Sequence, residues 1–164
     1  MLFKNWVLRM KFQETSKGDA LYLNQQIQFH HVFDRLLDKI ERADKMIVSS
    51  FAVTEAIIRR IIKNRYRIGE ISLFLDFTVA SRNMPITCFA EANVDALFLL
   101  NNHSKTIWVQ SATGDQYLAV ISNNATNNHR FECGFITGDR ELIAIYLDEI
   151  EQMKLESVLF YGKR

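Results

Sequence analysis

Apolar residues recur at helical spacing in two segments of the first half of the chain, and a short apolar run lies between them. From residue 26 to about residue 43, apolar side chains return every third or fourth position, which predicts an amphipathic helix. Residues 46–51 form an apolar, partly β-branched run that indicates a buried strand. Thr54 is placed to cap a second helix. The apolar stripe of that helix comprises Ile57, Ile58, Ile61 and Ile62.

Further strands are predicted on both sides of these helices. Residues 71–77 and 95–101 are apolar runs with strand character, and the link between them is predicted to be helical or irregular. Residues 6–12 alternate in part between apolar and polar positions and predict an opening strand. Such alternation of helices and strands favours an α/β layer fold with at least some parallel pairing.

The second half of the chain has the pattern of a hairpin followed by a strand and a helix. Residues 106–110 and 117–122 are apolar runs joined by a polar turn, which predicts a β-hairpin. Residues 131–137 predict a further strand, and residues 139–153 predict an amphipathic helix. An edge strand is predicted at residues 157–161.

Period-two alternation assigns the faces of the strand at residues 131–137. Phe131, Cys133 and Phe135 share one face, which is predicted to be the core, and Glu132 then lies on the other face. Cys88 and Cys133 are too few for a disulfide framework and lack the spacing of a zinc site. Both are therefore predicted to be buried thiols.

Composition indicates one globular domain over residues 1–164. The chain has 48% hydrophobic and 24% charged residues with a single proline, which is typical of a packed core. Twenty Lys and Arg residues against nineteen Asp and Glu residues give a net charge of +1, so no global field indicates the partner. Apolar runs are too short to cross a membrane and no secretory signal is evident, so a cytoplasmic protein without integral membrane contact is predicted.

Polar residues with chemical capacity lie around the hairpin at period-two spacing. His103 and Lys105 project from the same face of an extended chain, and Ser122 and Asn124 repeat this arrangement. A histidine can attack a phosphate or protonate a leaving oxygen. Lys105 and Asn124 can bind the phosphate oxygens, and Glu132 can orient the imidazole. This set predicts attack on a phosphodiester without a metal or a cofactor.

The same residues carry a resemblance to a known family. The tripeptides His103-Ser104-Lys105 and Ser122-Asn123-Asn124 resemble the signature of the phospholipase D superfamily, in which His-x-Lys precedes Gly-Ser-x-Asn. Glu132 lies where that family carries a glutamate on the next strand. The order of helices and strands from about residue 26 to residue 153 is similar as well.

Two positions depart from the family pattern. Gln110 stands where the family has an aspartate that is mainly structural, and Ile121 stands where it has the glycine of Gly-Ser-x-Asn. Because glycine permits close approach of the backbone, the change to Ile121 bears on phosphate binding more directly.

The resemblance implies one α/β domain with a central mixed or mainly parallel sheet and helices on both faces. It is closest to the small single-motif nucleases, in which a two-fold axis brings two histidines to one site. It therefore implies a homodimer, and a metal-independent phosphodiesterase that acts through a phosphohistidine intermediate on DNA or RNA rather than lipid. The site residues that it implies are His103, Lys105, Ser122, Asn124 and Glu132.

Two questions stay open at the level of the sequence. The domain either retains hydrolysis or is a catalytically degenerate module that serves binding or dimerisation. One stretch has five basic residues and no acid, and it either contacts the phosphates of a nucleic acid or is a solvated helix face. Its basic residues are Arg59, Arg60, Lys63, Arg65 and Arg67.

Overall fold

The computed structural model describes residues 12–126 and 130–162. Their strands are β1 (Gln13–Glu14), β2 (Ala20–Asn24), β3 (Ala43–Ser50), β4 (Ile68–Asp76), β5 (Ala96–Leu100), β6 (Thr106–Gln110), β7 (Gln116–Ile121), β8 (Glu132–Thr137) and β9 (Val158–Gly162). Their helices are α1 (Phe29–Ile40), α2 (Glu55–Lys63), α3 (Phe77–Arg82), α4 (Met84–Glu91) and α5 (Arg140–Glu156), and a short 3-10 helix spans Arg65–Arg67.

The strands form one mixed sheet in the order β1-β2-β8-β7-β6-β3-β4-β5-β9. Strands β3, β4 and β5 are parallel to one another, and the other six neighbouring pairs are antiparallel. Helices α1 and α2 pack on one face of the sheet and α5 packs on the other. The predicted α/β fold is therefore confirmed, and the sheet is mixed rather than mainly parallel.

Most of the predicted elements are present. The hairpin of β6 and β7, the two strands β4 and β5, the helix α2 and the edge strand β9 lie where the sequence predicts them, within a few residues at each end. The link between β4 and β5 is helical and contains α3 and α4. Of the predicted opening strand, residues 6–11 lie outside the described residues, and Phe12 precedes β1 without belonging to a strand.

The boundary between the first helix and the first buried strand differs from the prediction. Helix α1 ends at Ile40 rather than near residue 43, because Glu41 adopts a positive φ of 56° that stops helical hydrogen bonding. Strand β3 then begins at Ala43, three residues earlier than predicted, and pairs in parallel with Ile68 of β4. The turn is thus shorter, and the strand longer, than apolar patterning alone indicated.

Two cores lie on the two faces of the sheet. On one face, α1 and α2 pack their apolar stripes against the sheet, and Ile57, Ile58 and Ile61 are buried, whereas Ile62 is 37% exposed. On the other face, α5 packs against a smaller cluster that includes Trp108. Within the described ranges, no helix combines the length and the apolar character needed to cross a bilayer.

Strand β2 was not predicted from the sequence. Its residues alternate in burial, with Tyr22 at 2% exposure and its neighbours Leu21 and Leu23 at 55% and 70%. Because both kinds of position are apolar, the sequence shows no alternation there. The strand joins the sheet by antiparallel pairing with β8.

The predicted facing of β8 is wrong. Glu132 and Gly134 point into the larger core face, and Phe131, Cys133 and Phe135 are exposed on the opposite side. The reason is steric, because Gly134 lies against the ring of Tyr22 and opposite Ile121, where a larger side chain has no room. The prediction of two buried thiols is also wrong, because Cys88, like Cys133, is exposed.

Replacing Gly134 by alanine tests this packing. A Cβ at this position would overlap the ring of Tyr22 and lie 2.7 Å from Cγ2 of Ile121, so we expect Gly134→Ala to lower the free energy of unfolding by about 1–3 kcal/mol. Urea denaturation followed by circular dichroism measures the change. Gly138→Ala is the matched control, since its Cβ would meet no atom closer than 3.3 Å. Equal effects of the two substitutions would contradict the proposed clash.

Candidate active site

The five predicted site residues lie at one edge of the sheet. Strands β3, β4 and β7 end at this edge and strands β6 and β8 begin there, because β6 is antiparallel to β3 and β7, and β8 is antiparallel to β7. His103 and Lys105 lie just before β6, Ser122 and Asn124 lie just after β7, and Glu132 is the first residue of β8. Hairpin pairing thus brings both motifs to the same edge, as the sequence indicated.

The loop that carries His103 is held by the side chain of Asn102, which is only 3% exposed. Its Nδ2 donates to Ser49 Oγ at 2.9 Å and to the carbonyl oxygen of Phe74 at 3.2 Å. Its Oδ1 accepts hydrogen bonds from the backbone N–H of Ser104 at 2.9 Å and from the Ser104 hydroxyl at 2.7 Å. Because Asn102 and Ser104 flank His103, these bonds fix the backbone at His103 relative to β3 and β4.

Asp76, the last residue of β4, supports the same loop. Its carboxylate accepts from the backbone N–H of Asn102 at 2.9 Å and from the backbone N–H and hydroxyl of Thr78 at 2.9 and 2.5 Å. Burial raises the pKa of Asp76, but hydrogen bonds from Thr78 and Asn102 outweigh that effect, and the pKa lies below its usual value. The ionised carboxylate therefore anchors the loop to the end of β4.

The side chain of Lys105 contacts His103 directly. Its Nζ lies 3.2 Å from His103 Nδ1 and donates to the carbonyl oxygen of His103 at 2.6 Å. An ammonium group only donates, so Nδ1 accepts this bond and the neutral ring carries its hydrogen on Nε2. Since His103 is exposed, this Nε2–H is suited to donate a hydrogen bond to a phosphate oxygen.

Apolar and acidic neighbours complete the surroundings of this pair. The ring of Phe51 contacts the ring of His103, with centroids 5.2 Å apart. Burial lowers the pKa of Lys105, and the charge of Glu132 partly opposes this effect. The charges of Lys105 and Glu132 therefore interact, although Lys105 precedes the β6–β7 hairpin and Glu132 begins the next strand, β8.

The buried carboxylate of Glu132 accepts a hydrogen bond from the hydroxyl of Ser122. The same hydroxyl accepts from the backbone N–H of Cys133 at 2.9 Å, and the backbone N–H of Ser122 donates to the Cys133 carbonyl at 2.8 Å. Ser122 thereby closes the β7–β8 ladder and positions Glu132. The sequence predicted that Glu132 orients His103. In the structure, Nδ1 of His103 contacts Lys105 instead. The orienting role of Glu132 therefore stays a prediction.

The two asparagines that follow Ser122 have different surroundings. Asn123 is buried, accepts a hydrogen bond from the hydroxyl of Tyr22, and donates to the carbonyl oxygen of Ile27 at 3.1 Å. Asn124 is partly buried, and its Oδ1 has no hydrogen-bond partner within the described part of the chain. Asn123 thus anchors the loop, while the amide oxygen of Asn124 is not tied into that network.

The basic stretch after Thr54 is largely neutralised by carboxylates, and Lys63 is exposed. Because β3 and β4 are parallel, the chain between them returns to the opposite edge of the sheet, so Arg65–Arg67 lies far from His103. The structure does not bring that end of the stretch to the site, and nucleic-acid contact by these residues stays a prediction. The ion pairs are Arg59 with Glu55, Arg60 with Asp34, Arg65 with Asp95, and Arg67 with Asp38.

The two departures from the family pattern have clear structural settings. Gln110 ends β6 at the edge opposite to His103, and Asp115 stays in the hairpin turn, where it accepts from Thr113 Oγ1 at 2.8 Å. The side chain of Ile121 lies in the larger core, opposite Gly134. The larger residue at position 121 is therefore accommodated inside the protein.

Sequence reasoning missed Asn102, Ser49 and Asp76, which hold the histidine loop. A signal was present in the sequence, because Ser49 and Asp76 are polar residues that directly follow the apolar runs 46–48 and 73–75 of their strands. Buried polar side chains need hydrogen-bond partners, and strand ends that meet at one edge can supply them. The identity of those partners depended on the strand order, which the sequence did not define.

The fold is shared with several solved structures. NucT from Helicobacter pylori is 16% identical, with a TM-score of 0.68 over 87% of this chain and 99% of that chain. Nuc from Salmonella typhimurium, a phospholipase D family member, is 12% identical, with a TM-score of 0.65 over 88% of this chain and 100% of that chain. Phosphatidylserine synthase from Haemophilus influenzae is 13% identical, with a TM-score of 0.66 over 97% of this chain and 45% of that chain.

These similarities confirm the predicted resemblance at the level of the fold. No protein-family model matches the sequence, and no curated protein matches it either. The chain has the fold of phospholipase D superfamily members, with a motif-bearing edge in which both sequence motifs meet.

Replacing Asn102 by alanine tests the network that holds the histidine loop. The substitution removes the hydrogen bonds of Asn102 to Ser49, to the backbone N–H of Ser104 and to a strand-end carbonyl, so we expect the free energy of unfolding to fall by about 2–4 kcal/mol. Asn101→Ala is the matched control, because Asn101 is adjacent and exposed, and we expect it to change stability by less than about 0.5 kcal/mol. Denaturant titration of both variants compares the two costs, and equal costs would contradict the anchoring role.

Proposed function

We propose that this protein is a metal-independent phosphodiesterase, of nuclease type, whose site is completed by two copies of the chain. The observation that carries the proposal is the meeting of His103, Lys105, Ser122, Asn124 and Glu132 at one edge of a phospholipase D fold. In this set Lys105 and Asn124 bind the phosphate oxygens, and a histidine forms and releases the covalent intermediate. The chemistry draws on protein side chains for each role that a metal ion would otherwise fill.

The proposed reaction has two steps. In the first, Nε2 of one His103 attacks the phosphorus, an N–P bond forms, and the P–O bond to the leaving group breaks. The leaving oxygen takes a proton from Nε2 of the other His103, which passes from imidazolium to neutral imidazole. In the second step that imidazole removes a proton from water, and the oxygen attacks phosphorus as the N–P bond breaks, which returns both rings to their starting state.

The two copies of His103 need different protonation states for these roles. The acid has to be an imidazolium with hydrogens on both nitrogens, so that loss of the Nε2 proton leaves a neutral ring, and the Lys105 ammonium beside Nδ1 is the group that can supply the second hydrogen. A nucleophilic ring must present the lone pair of Nε2, which requires a hydrogen on Nδ1 and an acceptor for it. The buried carboxylate of Glu132 is the acceptor that we propose, once a bound phosphate draws the ammonium of Lys105 away.

Nucleic acid is the substrate that we propose. Two proteins that share the fold over nearly their whole length are NucT and Nuc, whereas the phosphatidylserine synthase is more than twice as long as the matched part. The exposed His103 faces solvent at a sheet edge rather than the bottom of a closed cavity, which suits a polymer that approaches from outside.

A second candidate is a binding or dimerisation module that does not hydrolyse its ligand. The contact between Lys105 and Nδ1 of His103 favours it, because this contact occupies the atom that a carboxylate would have to reach in a nucleophilic histidine. The two candidates share the phosphate-binding groups and differ only in whether a covalent intermediate forms.

Loss of hydrolysis in His103→Ala, measured in EDTA, tests the proposal. We expect wild type to cleave single-stranded DNA, duplex DNA, RNA or bis(p-nitrophenyl) phosphate without a metal ion, and the substitution to lower kcat by about 1000-fold or more. His30→Ala, on α1, is the matched control and should retain activity. Mass spectrometry of a single-turnover reaction should find the phosphoryl adduct on the peptide that contains His103. A folded wild type that binds these substrates without turnover would leave the binding module as the function.

The lowered pKa of Lys105 predicts a feature of the pH profile. Because burial makes the ammonium lose its proton at a lower pH than an exposed lysine, phosphate binding should weaken earlier as the pH rises. Arginine keeps its charge to a higher pH, so Lys105→Arg should shift the alkaline limb of the kcat/KM profile to higher pH. Lys154→Arg, in an ion pair on α5, is the control and should leave the limb unchanged. Coincident limbs for all three proteins would exclude Lys105 as the titrating group.

A further inference from the structure

A groove lies between the helices α2 and α4, on the side of the sheet that carries the larger core. Its volume is about 490 Å³, which falls within the roughly 300–1,000 Å³ that is usual for small-molecule sites. The apolar part of its lining includes Val53, Ile86 and Phe89, and its polar part includes Glu55 and Arg59. We call it the α2–α4 groove.

Backbone contacts place this groove beside the candidate active site. Val53 and Thr54, which line the groove, follow the end of β3 at the edge where His103 lies. Val53 forms a bridge with Ala125, and the backbone N–H of Thr54 donates to the carbonyl oxygen of Ala125 at 3.0 Å. Because Ala125 directly follows Asn124, the loop that carries Asn124 is fastened to the wall of the groove. A ligand whose phosphate is bound by Asn124 can therefore extend into the groove.

The charges that line the groove are paired with each other. Nε of Arg59 donates to Oε1 of Glu55 at 2.8 Å, and Nη2 of Arg59 lies 2.6 Å from the same oxygen. Opposite charges at this separation largely cancel at the distance of a ligand, so the pair attracts a second phosphate only weakly. The groove suits a neutral group better than an anion.

The same arginine provides a flat surface in the groove. Its guanidinium lies over the ring of Phe89, with 5.5 Å between Cζ and the ring centroid. Guanidinium planes and aromatic rings are the groups on which unpaired nucleobases stack. Both bonds from Arg59 go to Oε1 of Glu55, so Oε2 can accept a hydrogen bond from an exocyclic amino group of a base. Apolar contact with Val53 and Ile86 completes the surroundings of a planar, neutral ligand.

We infer that the α2–α4 groove holds one unpaired nucleobase of the strand whose phosphate is bound at the candidate active site. This inference rests on the proposed function and names the surface that would recognise a base next to the bound phosphate. A base enters the groove only when it is unpaired, because its faces and its hydrogen-bonding edge are occupied in a duplex. The groove therefore favours single-stranded over duplex nucleic acid.

Comparison of a normal strand with an abasic strand separates base contacts from phosphate contacts. An oligonucleotide of tetrahydrofuran units has the length and phosphate charge of a single-stranded DNA oligonucleotide but carries no bases. We expect the whole chain to bind the normal strand at least about fivefold more tightly, which is the lower end of what one stacked base contributes. Fluorescence anisotropy measures both dissociation constants in a His103→Ala background, so that hydrolysis does not change the strands.

Removal of the ion pair tests the groove without changing the net charge. We expect Glu55→Ala combined with Arg59→Ala to lower the preference for the normal strand at least about threefold, and to leave binding of the abasic strand unchanged. Both side chains are more than 60% exposed, so the fold, checked by circular dichroism, should persist. Glu151→Ala combined with Lys154→Ala is the matched control, because it removes an ion pair on α5 and should keep the preference.

Photocrosslinking locates the base directly. Iodouracil placed at successive positions of the strand should crosslink from one position to the peptide that contains Phe89, and mass spectrometry identifies that peptide. Phe89→Leu keeps an apolar side chain against the core but removes the ring. We expect it to abolish the crosslink and to reduce the preference for the normal strand.

Three results would overturn the inference. The first is equal binding of the normal and abasic strands, and the second is failure to bind either of them. The third is a preference that survives loss of Glu55 and Arg59 without a crosslink to the Phe89 peptide, which would place the base contact elsewhere. The proposed function is judged separately on the wild type. Base-dependent binding without hydrolysis keeps the groove and loses the activity, and hydrolysis with equal binding of the two strands does the reverse.

Discussion

The buried amide of Asn102 determines where His103 stands relative to the sheet. It joins the end of β3, through Ser49, to the end of β4, through the carbonyl of Phe74, and it holds Ser104 on the far side of the histidine. A polar group buried at 3% exposure is tolerated only because both its donor and its acceptor are satisfied. The histidine loop is therefore anchored to the ends of the parallel strands, although His103 itself is exposed.

This anchoring matters because the charge of the whole chain does little to attract a phosphate to the site. The net charge of the chain is +1, and four arginines near α2 are paired with carboxylates. Attraction for a phosphate must come from groups at the edge itself, chiefly Lys105 and the imidazole of His103. Such short-range contacts are effective only when their geometry is held in place, which is what the Asn102 network does.

Sequence and structure agree where a local pattern determines the answer. The β6–β7 hairpin could be predicted because its two apolar runs flank a polar turn, and this pairing alone brings Lys105 next to Ile121. The network around Asn102 could not be predicted, because its partners come from strands more than twenty residues away. The end of α1 was missed for a different reason: it is set by the positive φ of Glu41, and no glycine or asparagine marks the position.

The error on β8 has a more general cause. Both faces of this strand carry apolar residues, so alternation defines two faces without showing which one is inside. Gly134 decides the matter, because only a residue without a side chain fits between Tyr22 and Ile121, and this turns Phe135 outward. The pattern that misled the prediction is therefore that of a strand with apolar residues on both faces, of which the face opposite to Gly134 is exposed in the described part of the chain.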